Sequence, residues 1–122
     1  MEYRFEKLKI WQQARTFCSE IYTLTKQFPT AERFSLSDQI RRAAASIALN
    51  IAEGSNRKSD AEFIRFLRIS QGSACEVVTA LYIALDQEYI KQEKFDSIYK
   101  ELVNLSSKIT ALINSIQKRN KP

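Results

Sequence analysis

The chain has 122 residues, 44% hydrophobic and 27% charged, with two glycines and two prolines. That length suits a single domain, and the composition excludes a disordered chain. The scarcity of turn residues excludes a β-sandwich or barrel and favours a few long helices. Nineteen Lys and Arg against fourteen Asp and Glu leave a net charge of +5, and the excess is concentrated in residues 1–70. A moderate positive charge permits a polyanionic partner without requiring one.

The start, Glu2-Tyr3-Arg4-Phe5-Glu6-Lys7, has no apolar run of the kind a signal peptide carries, and no stretch approaches a membrane span. A cytoplasmic location without membrane contact is expected. Cys18 and Cys75 lie far apart in helical patterns. They are expected to be core thiols, with a disulfide as the alternative.

The first predicted helix covers about 8–28. Ile10, Trp11, Ala14, Phe17, Cys18, Ile21, Leu24, Thr25 and Phe28 recur by threes and fours as one broad stripe. Pro29 ends it. A connector follows, with one helical turn expected at Thr30–Arg33. Ser35 or Ser37 is expected to cap a second helix over about 37–53. Leu36, Ile40, Ala43, Ala44, Ile47 and Ile51 share its inner face, and Gly54 is expected to terminate it in the left-handed conformation.

Ser59-Asp60-Ala61-Glu62 is a capping-box pattern directly ahead of Phe63, so the third helix is predicted over about 60–85. Its stripe is Phe63, Phe66, Leu67, Ser70, Ala74, Val77, Leu81 and Ala84. The next break, near Tyr89-Ile90, is marked only by lost periodicity. A fourth helix over about 93–117 carries Phe95, Ile98, Tyr99, Leu102, Leu105, Ser106, Ile109, Leu112, Ile113 and Ile116. The basic tail from Lys118 is expected to fray. Four such helices with short connections predict an all-α, antiparallel up-down-up-down four-helix bundle occupying residues 1–122 as one domain.

Little catalytic chemistry is legible. The chain has no histidine, which removes the commonest general base near neutral pH and the commonest metal ligand. No glycine-rich phosphate loop and no Glu-x-x-His pair occur. Glu53, Glu62 and Glu76 could converge, but helical glutamates are more often solvated or paired with arginine. The expectation is a protein that is not an enzyme, with no cofactor and no metal.

Two helices carry a second stripe. On the second helix it reads Gln39, Arg42, Ser46, Asn50 and Glu53, and on the third Glu62, Arg65, Ile69, Gly72, Glu76, Thr79 and Ile83. A solvated face is the plain reading. However, two isoleucines within that stripe, a mid-helix glycine and poor helix formers at Ser46 and Asn50 favour a mixed polar contact between helices or subunits. If these helices form a hairpin, Arg42 falls near Gly72 and Glu76, and Glu53 near Arg65, as partly shielded ion pairs. The remaining basic residues, Arg41, Arg57, Lys58, Arg65 and Arg68, form a loose candidate nucleic-acid surface with no aromatic interleaved for stacking.

The run Gln39-Ile40-Arg41-Arg42-Ala43-Ala44-Ala45-Ser46-Ile47-Ala48-Leu49-Asn50-Ile51-Ala52-Glu53-Gly54 resembles the signature of the bacterial four-helix bundle proteins known as 23S rRNA intervening-sequence proteins. Phe5–Ala14, Phe28-Pro29 and Phe66–Glu76 agree in order. The chain departs from the family pattern at Ala48, where proline is usual, at Ser70, usually alanine, and at Val77, often leucine. The resemblance implies a left-handed antiparallel bundle assembled as a homopentamer. It also implies kinship with the accessory variability determinant of diversity-generating retroelements, which works with a reverse transcriptase and nucleic acid. It supplies no catalytic residues. Arg42, Asn50, Glu53, Gly72, Ser73 and Glu76 match motif positions, which implies a structural or assembly role for them. Two functions follow as expectations. In the first, a homo-oligomer binds RNA or DNA through its basic surface. In the second, an accessory module docks on a partner enzyme such as a reverse transcriptase.

Overall fold

The computed structural model describes residues 2–121. Four α-helices span Lys9–Thr25 (α1), Leu36–Ser55 (α2), Asp60–Asp86 (α3) and Gln92–Arg119 (α4), and short 3₁₀ turns cover Arg4–Lys7 and Thr30–Glu32. No strand occurs among the described residues. Each helix packs against two neighbours, in the cyclic order α1, α2, α3, α4. Cross-helix bonds link Ser46 to Ser73, the Ile47 carbonyl to Ser70, Gln71 to Thr110 and Asp60 to Arg119. As position rises on one helix it falls on its partner, and Arg4 meets Ser55 at one end while Thr25 meets Arg41 at the other, so successive helices run antiparallel.

The core is the four stripes closed on one another. Ala14, Phe17, Ile21, Ile40, Ala44, Ile47, Ile51, Leu67, Val77, Leu81, Ala84 and Ile109 are fully buried. Burying such side chains contributes about 1.5–3 kcal/mol each for the larger ones. The interior polar groups are satisfied: Ser70 Oγ donates to the Ile47 carbonyl at 2.9 Å. Among the described residues no buried side-chain polar atom lacks a partner. Neither cysteine is in a disulfide. Cys75 is exposed and Cys18 half-buried, which corrects the expectation of two core thiols.

The helix ends differ from expectation for physical reasons. α1 stops at Thr25, three residues before the predicted end, although Phe28 stays buried beyond it. At the start of α2, Ser35 Oγ donates to Glu32 Oε1 at 3.0 Å and makes no cap. The same carboxylate oxygen accepts from Leu36 N–H at 3.2 Å, so Glu32 does the capping. Gly54 lies inside α2 with no positive φ. A Cβ there would stand 2.6 Å from Phe66 Cβ, so this glycine serves the close approach of α3 and not chain reversal. Ser59 caps α3 as expected, accepting from Glu62 N–H at 3.2 Å.

The α3–α4 break is a Schellman turn. Glu88 has φ 62°, Tyr89 N–H reaches the Ala84 carbonyl at 2.9 Å, and Glu88 N–H reaches that of Leu85 at 3.0 Å. Finally, α4 runs to Arg119, past the point where fraying was expected, because Arg119 and Asn120 both donate to the Asp60 carboxylate at 2.9 Å.

Candidate nucleic-acid interface

Antiparallel packing gathers one set of chain segments at one end of the bundle: the 3₁₀ turn before α1, the α2–α3 corner and the end of α4. Arg4 Nη1 donates to the Ser55 carbonyl at 3.4 Å, and its guanidinium lies 5.2 Å from the centre of the Phe63 ring. Arg57 and Lys58 form the corner itself and are exposed. Arg65 follows one turn into α3, Arg68 lies three residues further on, and Arg119 closes on Asp60. Residues distant in sequence thus meet in one basic end.

The chemistry there is only partly free. Arg57 pairs with Glu53 one turn back, and Arg65 pairs with Glu62 at 2.9 Å. The Arg65 hydrogen bond holds the Glu62 carboxyl below the usual range, and Glu62 in turn raises the Arg65 guanidinium. Asp60 is lowered by the hydrogen bonds from Arg119 and Asn120. Exposed pairs of this kind contribute little to stability. Lys58 and Arg68 are exposed and take part in no ion pair among the described residues.

Sequence reasoning placed Phe66 in the inner stripe of α3 and missed it as part of this surface. Its half-buried ring lies 4.8 Å from the Arg57 guanidinium and 4.6 Å from that of Arg65. An aromatic therefore does stand among the basic residues, and the i, i+1 adjacency of Arg65 and Phe66 was its only trace in the sequence. Arg41 does not join this group. It sits near the opposite end of α2, donating to Thr25 Oγ1 at 2.6 Å and lying 5.0 Å from the centre of the Tyr22 ring.

The second stripes are realised differently from the expected ion pairs. Arg42 bonds Asp38 on its own helix at 3.0 Å and is 78% exposed. Neither Arg42–Glu76 nor Glu53–Arg65 forms, because the carboxylates one turn away are nearer. Glu53, Glu62 and Glu76 do not converge. The α2–α3 contact is instead made by small hydroxyls: Ser73 Oγ donates to Ser46 Oγ at 2.8 Å and Ser70 Oγ to the Ile47 carbonyl at 2.9 Å, while Asn50 Nδ2 stays on its own helix, donating to the Ser46 carbonyl at 2.8 Å. Gly72 and Glu76 are exposed on the outer side.

The carboxylates that do meet are Glu20 on α1 and Glu101 on α4. Desolvation and the hydrogen bond to Glu20 push the Glu101 carboxyl up to about 7. This pair became visible only with the α1–α4 register, which the bond from Gln13 to Asn104 at 3.0 Å fixes. Among the described residues no three His, Cys, Asp or Glu side chains group as metal ligands, and no helix is long and apolar enough to cross a membrane.

A sequence model described as 23S rRNA-intervening sequence protein matches residues 6–111. The chain belongs to this family. A solved structure agrees with it: a protein of unknown function from the S23 ribosomal protein family of Bacteroides thetaiotaomicron superposes with a TM-score of 0.80 at 28% identity. The match covers 86% of this chain and 95% of that one. Among curated proteins no match is found. The matched residues 6–111 take in the whole α2–α3 corner, so the Arg57–Phe66–Arg65 cluster lies within the family's own extent.

Proposed function

We propose that this chain is a non-catalytic, self-assembling bundle that binds structured RNA or DNA through its basic end. The observation that carries this reading is the convergence of Arg4, Arg57, Lys58, Arg65 and Arg68 from the first turn, the α2–α3 corner and α3. Membership of the 23S rRNA-intervening sequence family makes RNA the first ligand to try. Assembly as a homo-oligomer, a pentamer by family resemblance, multiplies the basic end around a ring, and phosphate contacts then add.

Gel shifts with 23S rRNA fragments and with duplex DNA at 50 and 200 mM salt test the reading. Binding is expected at low salt and is expected to fall steeply with added salt. Lys58→Ala and Arg68→Ala remove unpaired surface charges, and each is expected to lower the log–log salt slope by roughly 1 for every phosphate it ceases to neutralise. No shift at the lower salt overturns the nucleic-acid role. The neutralisation of Arg57 and Arg65 by their own glutamates supports a second reading, an accessory module that docks on a partner enzyme such as a reverse transcriptase without touching nucleic acid.

A further inference from the structure

Among the apolar surfaces the chain leaves uncovered, two lie one on each side of α2. The first is a groove of about 660 Å³ between α1 and α2, with Trp11, Tyr22 and Leu49 along it. Its α2 wall is a row of alanines, above which Leu49 stands 67% exposed. The charged residues lining it are Arg15 and Lys26, with no carboxylate.

The second surface is the outer side of α3 where it meets the start of α2. Ile69 and Ile83 project there, 40% and 45% exposed. A hollow of about 360 Å³ lies against Gly72, and its one charged lining residue is Glu76.

The two surfaces complement each other in length, charge and shape. By helical rise, Trp11 to Lys26 spans about 22 Å and Ile69 to Ile83 about 21 Å. The groove between α1 and α2 has cations as its charged lining residues, and the hollow over Gly72 has a single anion. One has a projecting leucine, the other a recess. A Cβ on Gly72 would meet nothing within 4 Å, so packing inside the chain does not require glycine at this mid-helix position, where it costs helix propensity. Exposed apolar patches on this scale are characteristic of contact surfaces.

We propose that each surface is covered by the other on a second copy of the chain: Leu49 of one copy seats in the hollow over Gly72 of the next, and Glu76 faces Arg15 and Lys26. This rests on the self-assembly reading above and names its contact faces. Because the two faces differ, the contact is heterologous. Because they lie on adjacent sides of the bundle, each copy is turned relative to the last, the condition for closing a ring.

Light scattering on the full-length, nucleic-acid-free protein tests this. Wild type is expected at a multiple of 14.1 kDa. Leu49→Glu and Gly72→Leu alter outward-facing positions, so circular dichroism should stay helical while each variant alone runs as a monomer. Mixed, each variant keeps one sound face, and the pair should form a species of about twice the monomer mass. A monomeric wild type overturns the self-assembly reading itself. An oligomeric wild type whose mass survives both substitutions leaves that reading standing and overturns this pairing of faces, as do two monomeric variants that fail to combine. Should either variant misfold, charge reversal decides. Arg15→Glu and Glu76→Arg should each weaken assembly and together restore it, and no weakening in either overturns the proposal.

Discussion

The two corners flanking α3 reach the same result by different means. The α2–α3 corner is built from local signals: Ser59 caps the helix, and Gly54 lets the Phe66 side chain lie against α2. The α3–α4 corner has neither glycine nor proline. It turns through Glu88 at φ 62°, a conformation that costs an ordinary residue about 1–2 kcal/mol. It is held from a distance by Tyr89, whose hydroxyl donates to Glu32 at 2.7 Å while its ring packs 5.6 Å from that of Phe28. A turn can be specified by residues that favour it or by a neighbour that restrains it. Only the first kind shows in a local stretch of sequence.

Substitutions at each corner sharpen that contrast. The largest effect is expected from Gly54→Ala, whose Cβ would collide with the Cβ of Phe66, a group with no freedom to swing away. A loss of about 1–3 kcal/mol in urea unfolding is expected, as for overpacked cores. An unchanged midpoint would mean that the helices part there without strain.

Tyr89→Phe keeps the ring and removes the bond to Glu32, and should lower stability by less than Gly54→Ala does. It should also remove the main cause that holds the Glu32 carboxyl below its ordinary value. A lowered carboxyl pKa stabilises the fold above the unfolded value and loses that contribution as pH falls. The variant should therefore differ from wild type near neutral pH and converge with it in acid, as measured by thermal melts across pH. Glu88→Gly should act in the opposite direction, raising stability by up to about 1 kcal/mol through relief of the left-handed residue. If it does not, the Schellman turn carries no strain.

The remaining effect is a pH dependence, at Glu101. Its raised pKa means that the folded chain holds a proton the unfolded chain has released between pH 4.5 and about 7. Stability should fall as pH rises through that window. Glu101→Gln should flatten this slope while leaving acid stability unchanged, read from the same melts.

The contrast between corners also explains what was legible in the sequence. The four stripes were in the main, because burial imposes the three-and-four spacing directly on the residues: all the predicted inner residues of α2 are buried, whereas Tyr99 of the predicted α4 stripe is exposed and Phe66 of the α3 stripe half-buried. The Ser59 cap was, because its signal lies within four residues. Glu32 as the cap of α2, Gly54 as a packing residue and the Glu20–Glu101 pair were not, since each depends on a partner set by bundle register. The basic end was half legible. Arg57, Lys58, Arg65 and Arg68 cluster in sequence, whereas Arg4 and Arg119 arrive only through antiparallel packing, and Arg41 is carried away to the other end. The expected Arg42 and Glu53 cross-helix pairs failed because a carboxylate or guanidinium four residues away along the chain was closer.

Trp11 is the chain's single tryptophan, and it stands half-buried at the edge of the groove between α1 and α2, 4.8 Å from the ring of Phe5. The protein thus carries one indole fluorophore, which can be excited apart from its five tyrosines and is placed where an arriving surface would displace water from it. Its emission colour reports whether that groove is wet or dry, without any label.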